Sequence, residues 1–292
     1  MFRPSLALAA LLILPLAAGP AEAAPREAKK LWETSGFKNP ESALFDRAAG
    51  VVYVSNMNGE AMVKDGNGFL SKVTPDGKVS VAEWVTGLDA PKGLARVGDK
   101  LYVADIDRLV EIDIAAGTVL NRFEAKDAKF LNDVAADPAG HVYVSDMLTN
   151  TIWRLADGKF EVWLKDDKLE NPNGLIVEGD TLVVAAWGVM TDGFATKVPG
   201  HLKKVSLADK SIAPHGKGDP IGNLDGLEPL GDGIYLASDW MNGKVHRIGR
   251  KGKARELLDL GPGTADLGFD PATGTAYIPQ MKTGVLHGYK FE

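Results

Sequence analysis

An all-β fold, a six-bladed β-propeller, is predicted by three features of this sequence. A short phrase recurs six times: Glu41-Ser-Ala-Leu-Phe-Asp, Lys92-Gly-Leu, Asn132-Asp-Val-Ala-Ala-Asp, Asn173-Gly-Leu, Asp225-Gly-Leu and Ala265-Asp-Leu-Gly-Phe-Asp. The first residues of these phrases lie 51, 40, 41, 52 and 40 positions apart. Five of the six phrases are followed by a strand closing on Asp, Asn or Gln, and a period near 40 holding several short strands is the mark of a propeller. The third feature is a pair of chain ends that complete one another, described below.

Residues 1–23 read as a secretory signal peptide. Met1-Phe-Arg3 gives a positive start, Leu6 to Ala18 an apolar run broken by Pro15, and Ala21-Glu22-Ala23 a small-x-small cleavage site. The run is too short to span a bilayer, and no later stretch is apolar enough. The expectation is a mature domain over residues 24–292, exported to a periplasm or secreted. Lys30-Leu-Trp-Glu-Thr34 comes next and resembles the outer strands Val81-Ala-Glu-Trp-Val85 and Glu161-Val-Trp163. The last phrase supplies only three strands, Leu267 to Asp270, Thr275 to Ile278 and Val285 to Phe291. Pairing Lys30–Thr34 with them closes the ring and removes two open sheet edges.

Between the ends, blade three shows the unit most plainly. Val134-Ala-Ala, His141-Val-Tyr-Val-Ser145, Thr151-Ile-Trp-Arg-Leu155 and Lys159-Phe-Glu-Val-Trp163 read as four strands, joined at Asp137-Pro-Ala-Gly140 and Ala156-Asp-Gly158 by turn-forming residues. β-Branched and aromatic residues dominate these strands, as a pleated, half-buried surface favours. Blades one and four are longer. Their extra residues fall at about 57–67 and 187–199, between the second and third strands. Strand alternation puts both insertions on the face where the innermost strands begin.

Composition narrows the function classes. There is no cysteine, which excludes disulfides, catalytic thiolates and thiolate metal sites. The net charge is −6 with scattered Lys and Arg, so neither nucleic acid nor an anionic membrane surface is an expected partner. A small-molecule substrate and a monomeric chain are the expectation. The five histidines show no ligand spacing, and no Gly-x-Ser-x-Gly occurs.

Opening each innermost strand, the first residue of each phrase should face the channel. The ring then reads Glu41, Lys92, Asn132, Asn173, Asp225 and Ala265. Two carboxylates facing one axis require a cation, a shared proton or solvent. An oxygen-rich set suits a hard divalent ion, Ca²⁺ first, with Mg²⁺ and Mn²⁺ as alternatives. Polar residues lining a water-filled channel are the competing reading.

The phrases Pro40-Glu41-Ser-Ala-Leu-Phe-Asp, Asn132-Asp133 before Asp137-Pro-Ala-Gly, Pro172-Asn173-Gly-Leu and Asp225-Gly-Leu resemble the family of gluconolactonase, senescence marker protein and luciferin-regenerating enzyme; diisopropylfluorophosphatase and the paraoxonases have similar folds. The resemblance covers nearly the whole chain after residue 23. It implies a metal-dependent hydrolase of lactones or related esters, with Glu41, Asn173 and Asp225 as ligands and Asn132 as a fourth ligand or a substrate contact. Asp225 would also be the catalytic base. Trp187, Met190, Phe194 and Trp240 are candidates for an apolar wall. Family members often carry Arg two residues before the Asn-Asp pair, where Phe130 stands here, which points to a more apolar substrate than a sugar lactone. Lys92 is open between pairing with Glu41, binding a substrate anion and facing solvent. A non-catalytic exported scaffold that binds a ligand or protein is the second functional expectation.

Overall fold

The computed structural model describes residues 27–292, so the expected signal peptide lies outside the described residues. Six four-stranded antiparallel sheets form the blades of a propeller. Blade three runs Leu131–Ala136, Val142–Asp146, Thr151–Ala156 and Lys159–Lys165 from axis to rim, matching the strands read from the sequence to within a few residues. Blade six combines Gly268–Asp270, Thr275–Gln280 and Val285–Phe291 with the N-terminal strand Ala28–Ser35, which pairs antiparallel to Val285–Phe291. Trp32 lies across Gly288 so closely that a Cβ there would sit 2.3 Å from the indole, which is why that strand carries glycine.

The core is divided among the gaps between neighbouring blades. Tyr102, Ala104 and Leu109 of blade two pack with Val142, Val144 and Trp153 of blade three. Tyr143, Ile152 and Trp163 then pack with Leu182, Val184 and Val205 of blade four. Tyr277 and Leu286 meet Val52, Val54 and Val73 where the ring closes. Strand alternation produces this directly: one face of each blade packs against the blade before it and the other against the blade after.

Each repeated phrase lies at a break in register. Pairing of the innermost with the second strand shifts between Pro40 and Ala43, Pro91 and Leu94, Leu131 and Val134, Pro172 and Leu175, and Leu224 and Leu227. Such bulges leave the extra residue out of the ladder and re-aim its side chain. Side chains of the second strand then take up the displaced N–H groups. Ser55 Oγ accepts from Ser42 N, Ser145 Oγ from Asp133 N and Ser238 Oγ from Gly226 N, at 2.8–2.9 Å. The polar residue that ends the second strand holds the loop leading into the phrase. Asp105 accepts from the N–H groups of Asp89 and Ala90, and Asp146 from those of Lys129 and Phe130.

The second residues of the phrases, Ser42, Gly93, Asp133, Gly174, Gly226 and Asp266, interlock. A Cβ on Gly93 would lie 2.3 Å from Asp133 Oδ1, and one on Gly226 2.4 Å from Asp266 Oδ1. The carboxylate of one blade therefore fills the space left by the glycine of the blade before it. Gly93→Ala should wedge blades two and three apart and lower unfolding free energy by roughly 1–3 kcal/mol, the usual cost of overpacking, as measured by denaturant titration. A stability equal to that of the unmodified chain would show that the fit is not tight.

Candidate active site

The bulges bring the predicted ring together. Glu41, Lys92, Asn132, Asn173 and Asp225 form the floor of a cavity of about 230 Å³ at one end of the axis, each side chain nearly or fully buried. Ala265 is buried too but does not line it. The floor is polar and closely held. Asn173 donates from Nδ2 to Asp225 Oδ1 at 2.9 Å, which fixes its amide so that Oδ1 remains an acceptor. That Oδ1 and Oε2 of Glu41 are buried and have no hydrogen-bond partner. Asn132 rests its amide nitrogen 3.6 Å from the Met147 sulfur.

Lys92 resolves among the alternatives left by its sequence position. It is buried rather than exposed to solvent, and makes no ion pair with Glu41. Its Nζ donates to the carbonyls of Ala90 (2.9 Å) and Ala61 (3.1 Å) and lies 4.6 Å from the centre of the Phe130 ring. Ala61 belongs to the long loop of blade one, so the ammonium fastens that loop over the floor. Burial pushes the Lys92 amine down to about 8, with the carboxylates of Glu41 and Asp105 acting in the opposite direction.

Glu41 and Asp225 are raised well above the carboxylate range, first by burial and then by one another's neighbours: Asp225 and Asp266 act on Glu41, and Asp266 acts on Asp225. Asp133 is not at the cavity floor. Its carboxylate accepts from Val134 N and from Leu175 N of the next blade, so it acts as a tie between blades. Deeper in the channel Asp266, partly exposed at the wall, accepts from Ser42 Oγ.

Above the floor the cavity turns apolar. Trp187 and Phe194 from the long blade-four loop line it as expected, with Trp240; Met190 packs behind Trp187 rather than lining the cavity. Trp187 donates from Nε1 to the Phe194 carbonyl at 2.9 Å, which pins that loop. The remaining walls are Met57, Ala61, Phe130, Met147 and Met281. Three of these, the methionines, went unremarked in the sequence although a signal exists. The residue directly after the end of each second strand is Met57, Ile106, Met147, Trp187, Trp240 and Met281 in turn, and in five blades that end is polar. It is a second ring, apolar where the first is polar, and all but Ile106 line the cavity.

The donor set fits a hard cation. Unpartnered, buried acceptor oxygens on Glu41 and Asn173 beside the Asp225 carboxylate are the environment such an ion completes. Among the described residues no three His, Asp or Glu side chains are grouped as ligands, so the set would be two carboxylates with amide oxygens.

No protein-family model matches this chain, and neither does any curated protein sequence. Solved structures do. A gluconolactonase from Xanthomonas campestris superposes with a TM-score of 0.67 at 16% identity, over 94% of this chain and 97% of that one. Regucalcin from Agrobacterium tumefaciens, described as a calcium-binding protein, gives 0.65 at 19% identity over 92% and 94%. Virginiamycin B lyase from Staphylococcus aureus gives 0.59 at 12% identity over 91% and 100%. The likeness suggested by the motifs is thus matched in the fold, and at these identities it is a likeness of fold alone.

Asp266 supplies a pH prediction. Burial raises its carboxyl to about 7, from an ordinary value near 4. A folded-state value above the unfolded one means that the folded chain holds the proton more tightly. The associated stability is complete below about pH 4 and is lost as pH rises through about 7. Asp266→Asn, which keeps an oxygen for Ser42, should flatten the fall in melting temperature between those limits, measured by thermal unfolding across pH. An unaltered slope would assign that fall to other groups.

Proposed function

We propose that this chain is an exported hydrolase of lactones or related esters that works with a bound divalent cation, Ca²⁺ ahead of Mg²⁺ or Mn²⁺. The observation that carries the proposal is the pair of buried, unpartnered acceptors, Glu41 Oε2 and Asn173 Oδ1, placed beside Asp225 on the floor of a largely apolar cavity. Leaving such groups unsatisfied is costly, and a cation or a substrate that completes them recovers that cost. The gluconolactonase among the structural neighbours supports the same choice through its fold.

Glu41, Asn173, Asp225 and Asn132 would hold the cation, which supplies Lewis acidity toward a carbonyl oxygen. The chain itself does the rest. Asn173 Nδ2 fixes the Asp225 carboxylate through Oδ1. Asp225, whose carboxyl burial raises and whose orientation Asn173 fixes, is placed to accept a proton from an attacking water at its carboxylate and to return it to the leaving oxygen. Lys92, held by two backbone carbonyls, presents a positive pole at the floor for the developing oxyanion. Met147, Trp187 and Trp240 give the floor an apolar surround, in which each of these interactions is stronger than in water. The export half of the proposal rests on the signal-like residues 1–23.

Adding Ca²⁺ to chelator-treated protein should raise its melting temperature, and turnover on a lactone and aryl-ester panel should be abolished by chelator and restored by the ion. Asp225→Asn keeps an acceptor for Asn173 and should lower kcat by about 10²–10⁴-fold, the range of a lost general base, with the melting temperature little changed. Absence of both metal stabilisation and turnover would favour a ligand-binding scaffold, whereas full activity in Asp225→Asn would remove this residue from the chemistry.

A further inference from the structure

The polar groups of the cavity are confined to its floor, and every other lining side chain is Ala, Met, Phe or Trp. Six of the chain's seven methionines belong to this one face. Met57, Met147 and Met281 line the cavity, Met190 packs behind Trp187, and Met62 and Met241 lie exposed beside its mouth. Unbranched thioether side chains adapt to irregular apolar shapes, and their concentration around a binding site marks it for apolar ligands.

The apolar lining also continues outward. Phe194 belongs to the cavity wall yet is 41% exposed, and Val189 and Val198 on the same loop are each 59% exposed. Met62 and Val63 on the facing blade-one loop are similarly exposed. A soluble chain that leaves large apolar side chains bare on both lips of one opening has a surface shaped for an apolar ligand. The cavity measures about 230 Å³ and is open at one end, so a substituent on a ring seated at the floor has a way out.

We propose that the substrate is a lactone or ester with an aliphatic substituent, its ring on the polar floor and its chain leaving past Phe194 between the two long loops. The proposal rests on the hydrolase reading for the polar head alone. A polyhydroxylated ring is disfavoured because hydroxyls pointing away from the floor meet Met57, Phe130 and Met281, none of which replaces the hydrogen bonds those hydroxyls make in water.

The test is calorimetric titration of δ-decalactone, δ-hexalactone and glucono-δ-lactone into the Asp225→Asn chain, with turnover followed separately in the unmodified protein. δ-Decalactone should bind at least tenfold tighter than δ-hexalactone, because the four added methylenes meet apolar surface, and glucono-δ-lactone should bind most weakly. Phe194→Ala, on a half-exposed loop whose folding is checked by melting temperature, should narrow the ratio between the two alkyl lactones at least threefold. Equal affinity for long and short chains, preference for glucono-δ-lactone, no binding of any of the three, or a ratio unmoved by Phe194→Ala would overturn the proposal. The stated order of affinities without turnover in the unmodified protein would instead uphold the ligand class and reject the hydrolase.

Discussion

The break in register at the start of each innermost strand is the constraint on which the rest depends. A regular ladder would turn successive side chains alternately into the two neighbouring blades and leave the axis lined only by backbone. By adding a residue, the bulge directs Glu41, Lys92, Asn132, Asn173 and Asp225 to one cavity floor. The displaced N–H groups need new acceptors in a region without free solvent. Ser55, Ser145 and Ser238 provide them in alternate blades, while Asp105, Asp146 and Asp239 anchor the loops just upstream. The site is therefore not laid over the fold by loops alone; it arises at the point where each blade departs from ideal sheet geometry.

That arrangement concentrates acid at the axis. Glu41, Asp133, Asp225 and Asp266 are all raised, chiefly by burial, and Lys92 is the one basic side chain among the residues of the cavity floor. Two of the four are tied by the backbone or by Ser42 and serve the packing of neighbouring blades. Glu41 and Asp225 differ. The first has an oxygen without a partner and the second is oriented by an amide that has its own oxygen free.

Much of this was legible because it repeats. The phrase spacing gave the blade count, the polar ring and the two long loops, and Lys30–Thr34 gave the closure of blade six. What repetition could not convey was side-chain direction. Lys92 occupies a position that allows an ion pair with Glu41, a free ammonium or exposure, and only the path of the blade-one loop brings the Ala61 carbonyl to it. The apolar ring was missed for a different reason. Its members are chemically varied, Met, Ile and Trp, and each reads locally as an ordinary residue after a strand; they form a set only when aligned by the end of the second strand.

That adjacency has a consequence for how the site is shaped. In most blades the last residue of the second strand clamps the backbone, as Asp146 does for Lys129 and Phe130, and the next residue, Met147, faces the cavity. The two roles never fall on one side chain. The clamp needs a small polar group of fixed reach, whereas the wall position is bounded by open cavity on one side and tolerates Met, Ile or Trp. Changing the wall therefore alters ligand shape without releasing the bulge, and the polar floor keeps its geometry while the apolar ring above it varies. Separation of this kind lets one closed ring of sheets carry a fixed polar centre under differently shaped openings, and here the opening has been filled with thioethers and indoles.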